Sequence, residues 1–208
     1  MLQVLGRANS FNVRKVLWLC DELGLPFERE DWGRGFRPTN DPAFLKLNPI
    51  GLVPAVVDDG VVLRESNTIV RYLASKHGRH DLYPVELVAR AKVEQWMDWA
   101  NYETSISLRG AFLGGMLNEP PWNNPWFIEQ GRKQITKEIG QLDQHFVESK
   151  TSFVAGDTFT IADIPIGLVV NRWFCLDFQR PDYAAVADYY ARLSQRQPYL
   201  RHVRNGLP

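Results

Sequence analysis

The chain has 208 residues, 45% of them hydrophobic and 23% charged, which is enough for one large domain or two small ones with a sizeable core. Lysine plus arginine and aspartate plus glutamate both total 24, and no basic block interleaved with aromatics occurs, so nothing points to nucleic acid or an anionic membrane surface as a partner. Cys20 and Cys175 stand in neither a CxxC nor a zinc spacing, no run approaches the roughly 20 apolar residues of a membrane span, and the opening MLQVLGRANS lacks a signal-peptide pattern, so the expectation is a cytoplasmic protein in a reducing compartment.

The first element is a short apolar strand, Leu2–Leu5, closed by Gly6. Val13, Val16, Leu17 and Cys20 then recur at helical spacing, and Gly24 and Pro26 stop the run. Cys20 falls on the apolar face as a small core residue, and Cys175 has the same standing. Ser10 and Asn12 stand at the helix start, where two chemistries are open. One is side-chain capping of free backbone N–H groups; the other is donation of a hydrogen bond to a thiolate held at the positive helix end. Phe27–Asp31 predicts a second strand, Trp32–Pro42 (WGRGFRPTNDP) a loop, and Phe44–Leu47 a short helix.

The stretch from Asn48 to Leu73, NPIGLVPAVVDDGVVLRESNTIVRYL, is the most informative. Ala55–Val57 and Val61–Leu63 are β-branched and nearly continuous, predicting strands buried on both faces, and Asp59-Gly60 between them is a two-residue hairpin signal. Pro54 sits at the first residue of its strand, where a missing N–H does least harm, and X-Pro bonds alone make the cis isomer accessible. Glu65-Ser66-Asn67 then leads into a helix with Ile69, Tyr72 and Leu73 on one face. Backbone N–H groups and the Ser66 hydroxyl at that entry form a receptor suited to a carboxylate.

Gly78–Val88 reads as an interdomain linker, and from Ala89 the pattern is helical. Ala89–Tyr102 places Val93, Trp96 and Trp99 on one stripe beside Asp98. Arg109 interrupts the apolar SLRGAFLGGM, where a charge must be paired or face a cavity. EPPWNNPW is an irregular connection, and Lys133–Phe146 is again helical. Thr160 and Asp163 read as a variant capping box with Phe159 stapled to Ile164, opening a buried helix. Tyr183–Ser194 is a last helix and Pro198 begins the tail. His77 and His80 lack a third ligand, and His145 and His202 have no acidic, Cys or His company at ligand spacing, so no metal is expected.

Val53-Pro54 followed by Glu65-Ser66 resembles the glutathione-binding half of glutathione transferases, and the resemblance extends over nearly the whole chain. Asn9-Ser10-Phe11-Asn12-Val13-Arg14-Lys15 is similar to the bacterial members that use serine or asparagine. The resemblance implies an α/β plus all-α protein: a thioredoxin-like domain over about residues 1–77, followed by an all-helical domain over 88–208. It implies a detoxifying transferase, with glutathione as co-substrate and no metal, acting as a homodimer. In such a site Ser10 and Asn12 act on the sulfur, and Arg34, Arg37, Asn40, Val53, Pro54, Glu65, Ser66 and Asp98 bind the tripeptide, Asp98 from across the dimer. Phe11, Arg109, Phe112 and Trp122 line the electrophile pocket. Glutathione-dependent disulfide reduction or isomerisation, and a non-catalytic binding module, are the alternatives on the same scaffold.

Overall fold

The computed structural model describes Met1–Gly206. Its strands are β1 (Leu2–Leu5), β2 (Phe27–Glu30), β3 (Ala55–Asp58) and β4 (Val61–Arg64). Its first helices are α1 (Phe11–Leu23), α2 (Pro42–Leu47) and α3 (Ser66–Lys76). Then follow α4 (Leu87–Leu108), α5 (Pro125–Ser149), α6 (Asp163–Cys175), α7 (Ala184–Leu193) and α8 (Gln197–His202). The chain divides into two compact units, one of residues 1–84 with the segment from Gln197, the other of Val85–Arg196.

In the first unit the sheet order is β2-β1-β3-β4. β1 runs parallel to β2, with Leu2 opposite Phe27, and antiparallel to β3, with Val4 opposite Val56. Side chains alternate across the sheet. Leu5 and Ala55 therefore join Trp32 and Phe44 in one cluster, while Val4 and Val56 are buried on the opposite face. Asp59 and Gly60 both take positive φ, 49° and 83°, the requirement of a two-residue hairpin turn. The expectation that both hairpin strands are buried holds for β3 only. β4 ends the sheet, with a neighbour on one side, and leaves Val61 50% and Val62 38% exposed.

α1 is buried from Val13 to Cys20, including Arg14 and Lys15. Gly24 closes it at φ 64°, with its N–H on the Asp21 carbonyl and the Leu25 N–H on that of Cys20. Burial pushes the Cys20 thiol up to about 12, consistent with a core residue that does no chemistry. The tail departs from expectation. Instead of belonging to the helical domain, α8 packs on α1, with the Tyr199 ring 4.9 Å from that of Trp18. Asp21 accepts from Arg201 at 2.5 Å, and His202 Nε2 lies 2.8 Å from the same carboxylate. The reason is that Trp18 and Asp21 occupy the side of α1 that α8 covers, a pairing across 180 positions that local spacing cannot reveal.

In the second unit, α4 and α5 begin earlier than their apolar stripes indicate, because each has a cap. Glu86 accepts from the Val88 and Ala89 N–H groups at 2.9 and 2.7 Å. Asn124 accepts from Trp126 at 2.9 Å, with Pro125 at the first helical turn. α4 passes into a π-helical turn, Arg109–Gly114, that lies directly on α5. A Cβ at Gly110 would fall 2.0 Å from the Phe127 carbonyl oxygen, and one at Gly131 2.5 Å from the Ala111 nitrogen.

Half of the Thr160–Asp163 box forms as expected, with the acid reaching back to the Thr160 N–H at 2.8 Å, and the other half differs. α6 starts at Asp163 itself, and the carboxylate turns back into the core instead of merely trimming a helix end. It accepts from Thr160 N–H at 2.8 Å, Thr160 Oγ1 at 3.3 Å, Val154 N–H at 3.1 Å and the Tyr189 hydroxyl at 2.9 Å. The Thr160 hydroxyl donates to the acid and does not cap. Burial of the carboxyl outweighs these hydrogen bonds and pushes its pKa up to about 6.

Two outcomes are expected. Gly131→Ala should destabilise the protein by about 3 kcal/mol or more, because backbone atoms must move apart; a denaturant midpoint unchanged from wild type would refute the close approach. The native Asp163 carboxyl holds a proton between roughly pH 4 and 6 that the unfolded chain has released, so its contribution is stabilising below pH 4 and lost as pH rises through about 6. Asp163→Asn should therefore be less stable throughout and gain less than wild type when melts at pH 7.5 and pH 5 are compared. An equal gain in both proteins would contradict the assignment.

Candidate functional site

The site is built where the starts of α1 and α3 meet. Gly6 ends β1 at φ 149°, and a Cβ there would strike Val13 at 2.5 Å and Val53 at 3.0 Å, so glycine lets the β1–α1 loop run against Val53. The loop is pinned by backbone bonds from Gly6 N–H to Glu30 O at 2.8 Å and from Arg7 N–H to Trp32 O at 3.1 Å. The Val53–Pro54 peptide is cis. Val53 is half-buried and Pro54 buried beside it.

Ser10 occupies the N-cap position of α1 in extended conformation, and its carbonyl accepts from Arg14 N–H at 2.9 Å. Its side chain makes no capping hydrogen bond. Of the two chemistries open at this serine, capping is thus not the one the geometry uses. Asn12, the second residue of the helix, is exposed, and its Oδ1 accepts from Ser66 Oγ at 3.3 Å. Ser66 opens α3, preceded by exposed Glu65 at φ 67°. The first backbone N–H groups of both helices have no acceptor within their own helix, and each helix start carries positive partial charge.

Between the two starts lies a residue that the sequence reading passed over. Lys15 is 1% exposed, and its Nζ sits 3.4 Å from Ser66 Oγ and 5.2 Å from the centroid of the Phe11 ring. The available signal was a charge within the buried run VRKVLWLC, three residues after Asn12. Arg14 and Lys15 were read as part of a motif, not as buried cations. Two helix starts and an enclosed ammonium make this corner a receptor for anions.

The loop candidates are less uniform. Arg37 is already engaged, stacked 3.8 Å over the Trp32 ring and 3.2 Å from Glu30. Arg34 and Asn40 are exposed. In the second unit, Asp98 is exposed on α4, and Arg109 is exposed 5.2 Å over the Trp122 ring. Phe112 is buried with the Arg172 guanidinium 4.0 Å above its ring, so it is a packing residue of the helical unit. Trp122 lines a cavity of about 600 Å³ with Ile106, Trp126 and Phe127, whose floor includes Glu138; neither Arg109 nor Phe112 forms its wall. Among the described residues, no cluster of three or more His, Cys, Asp or Glu could hold a metal ion, and no helix is long and apolar enough to cross a membrane.

Residues 9–76 match the family described as glutathione S-transferase, N-terminal domain. The chain is 36% identical to the glutathione S-transferase GstB of Escherichia coli K12 over 98% of its own length and 97% of that protein's. It is 33% identical to a glutathione S-transferase 3 of Zea mays, over 78% of this chain and 73% of the plant protein. Among solved structures, the glutathione-bound theta class transferase of Xanthomonas axonopodis pv. citri superposes with a TM-score of 0.91 at 33% identity, covering 100% of this chain and 99% of that one. A delta-class transferase of Nilaparvata lugens gives 0.85 at 26% identity, covering 100% and 95%. With a thioredoxin-like sheet and a relative matched over almost the full length of both chains, the chain belongs to the glutathione S-transferase family.

Proposed function

We propose that the protein transfers glutathione to a small electrophile, using the corner formed by Ser10, Asn12 and Ser66 to bind and activate the thiol. The observation that carries this reading is Ser10, 8% exposed at the start of a buried helix, with a hydroxyl that makes no capping bond. The tripeptide pairs with the Val53 backbone. Its γ-glutamyl carboxylate meets the start of α3 at Glu65-Ser66, and its glycyl end meets the Arg34–Asn40 loop. The sulfur then lies at the start of α1. Thiolate attack forms the carbon–sulfur bond as the leaving group departs with its electron pair, and the thiol proton passes to solvent. Arg109 and Trp122 are the electrophile candidates of the helical unit, and the same chemistry fits a cytoplasmic, detoxifying role.

The magnitudes select a side-chain donor. A cysteine thiol titrates near 8.5, so useful thiolate at neutrality requires a drop of one to two pH units, about 1.4–2.7 kcal/mol. A helix start contributes about 0.3–1 kcal/mol at an exposed site. One hydrogen bond to a charged group adds about 1.5–3 kcal/mol and closes the gap. Titration of the thiolate absorbance of bound glutathione should show a raised thiol pKa in Ser10→Ala, and a larger rise in the Ser10→Ala/Asn12→Ala double variant. A wild-type pKa in the double variant would transfer the activation to the backbone. Failure of the wild-type protein to bind glutathione in calorimetry would end the reading altogether.

The active form is a homodimer, to which Trp96 and Trp99, half-buried and in edge contact at 5.6 Å, offer apolar surface. Light scattering should give twice the 23.9 kDa chain mass. Asp98→Ala should weaken glutathione binding without dissociating the dimer; unchanged affinity would remove Asp98 from the site.

A further inference from the structure

Within the proposed site, three side chains form a chain of hydrogen bonds that runs from Lys15 through Ser66 to Asn12. An ammonium has three donors and no acceptor, so Lys15 Nζ can only give a hydrogen to Ser66 Oγ, 3.4 Å away. The serine hydroxyl has one hydrogen of its own, and it goes to Asn12 Oδ1 at 3.3 Å. With Oδ1 on Ser66, the NH2 group is the other prong of the planar Asn12 amide, and Asn12 is an exposed residue.

From this we infer that Lys15 is a positioning residue for thiol activation, acting through Ser66 to hold Asn12 as a hydrogen-bond donor. The inference rests on the glutathione reading above and adds to it a role for a buried cation that the resemblance left without one. Without Lys15, Ser66 could donate elsewhere and Asn12 could present its carbonyl, which repels a thiolate instead of stabilising it. Serial polarisation strengthens the last donor when the first is charged, and burial keeps the ammonium from being screened by water. Lys15 is 1% exposed and Ser66 7%. A second consequence concerns the γ-glutamyl carboxylate. With the Ser66 hydroxyl engaged inward on Asn12, the carboxylate is received by the backbone N–H groups at the start of α3.

The test is the thiol pKa of bound glutathione, read by thiolate absorbance in the full-length protein, with binding followed by calorimetry and folding by denaturant midpoint. Lys15→Met keeps the length and apolar stem of the side chain and removes the donor. Ser66→Ala cuts the chain at its middle, at the far end of the tripeptide from sulfur. Both variants should raise the thiol pKa by about half a unit or more, equivalent to about a threefold loss of thiolate affinity for its site. A role confined to packing or to carboxylate binding would change stability or affinity and leave that pKa alone. If folded Lys15→Met or Ser66→Ala keeps the wild-type pKa, the relay is wrong while the glutathione reading stands. Should Lys15→Met not fold, Ser66→Ala decides by the same criterion. If the wild-type protein does not bind glutathione, both readings fall together.

Discussion

Because α1 is covered from Val13 to Cys20, each polar group near its start must find a partner within the fold or be aimed at a ligand. The apolar part of this helix gains from the enclosure, with Val13, Val16, Leu17 and Trp18 all withdrawn from water. Arg14 and Lys15 lie in the same run and would be expensive to enclose without partners. α3 supplies one partner by bringing Ser66 to the ammonium, and the ring of Phe11 lies beside it. Enclosure of this cation thus ties the starts of α1 and α3 together.

The helical unit handles its buried polar groups differently. Asp163 and Glu138 are both enclosed acids, each surrounded by donors from neighbouring elements. Glu138 accepts from Ser107 at 2.6 Å and Gln134 at 2.8 Å, tying α4 to α5. Asp163 ties the loop at Val154 and helix α7 to the head of α6. Burial raises the carboxyl pKa of both, more than their hydrogen bonds lower it. Such acids specify which helices sit together, whereas the glycines at 110, 114 and 131 specify how closely.

Much of this was legible in the residues themselves. Strand and helix periodicity, the Asp59-Gly60 turn and the Gly24 stop are local, so the order of elements in the first unit could be read directly. That Asn12 and Ser66 belong to one corner was accessible only through resemblance, because residues 54 positions apart share no local pattern. Two kinds of feature escaped. Capping by Glu86 and Asn124 lengthened α4 and α5 beyond their apolar stripes, since a cap lies outside the periodic segment by definition. Tertiary satisfaction was the other. Lys15 figured only as the end of a motif, Thr160 looked like a cap, and His202 like an isolated imidazole, until the fold supplied Ser66, the buried acid and Asp21.

The packing of α8 against α1 makes the first unit discontinuous in sequence, and this bears on the order in which the molecule can be completed. A ribosome releases the sheet, α1 and α3 long before Gln197, while the whole helical unit is still to be made. During that interval the Trp18 side of α1 lacks the ring of Tyr199, and Asp21 lacks Arg201 and His202. The nascent first unit therefore carries an apolar face that α8 covers later. Closure of such distant pairs is slow relative to local structure, because a long loop must be closed before the contacts form. The thioredoxin-like sheet is made before the helical unit and completed after it.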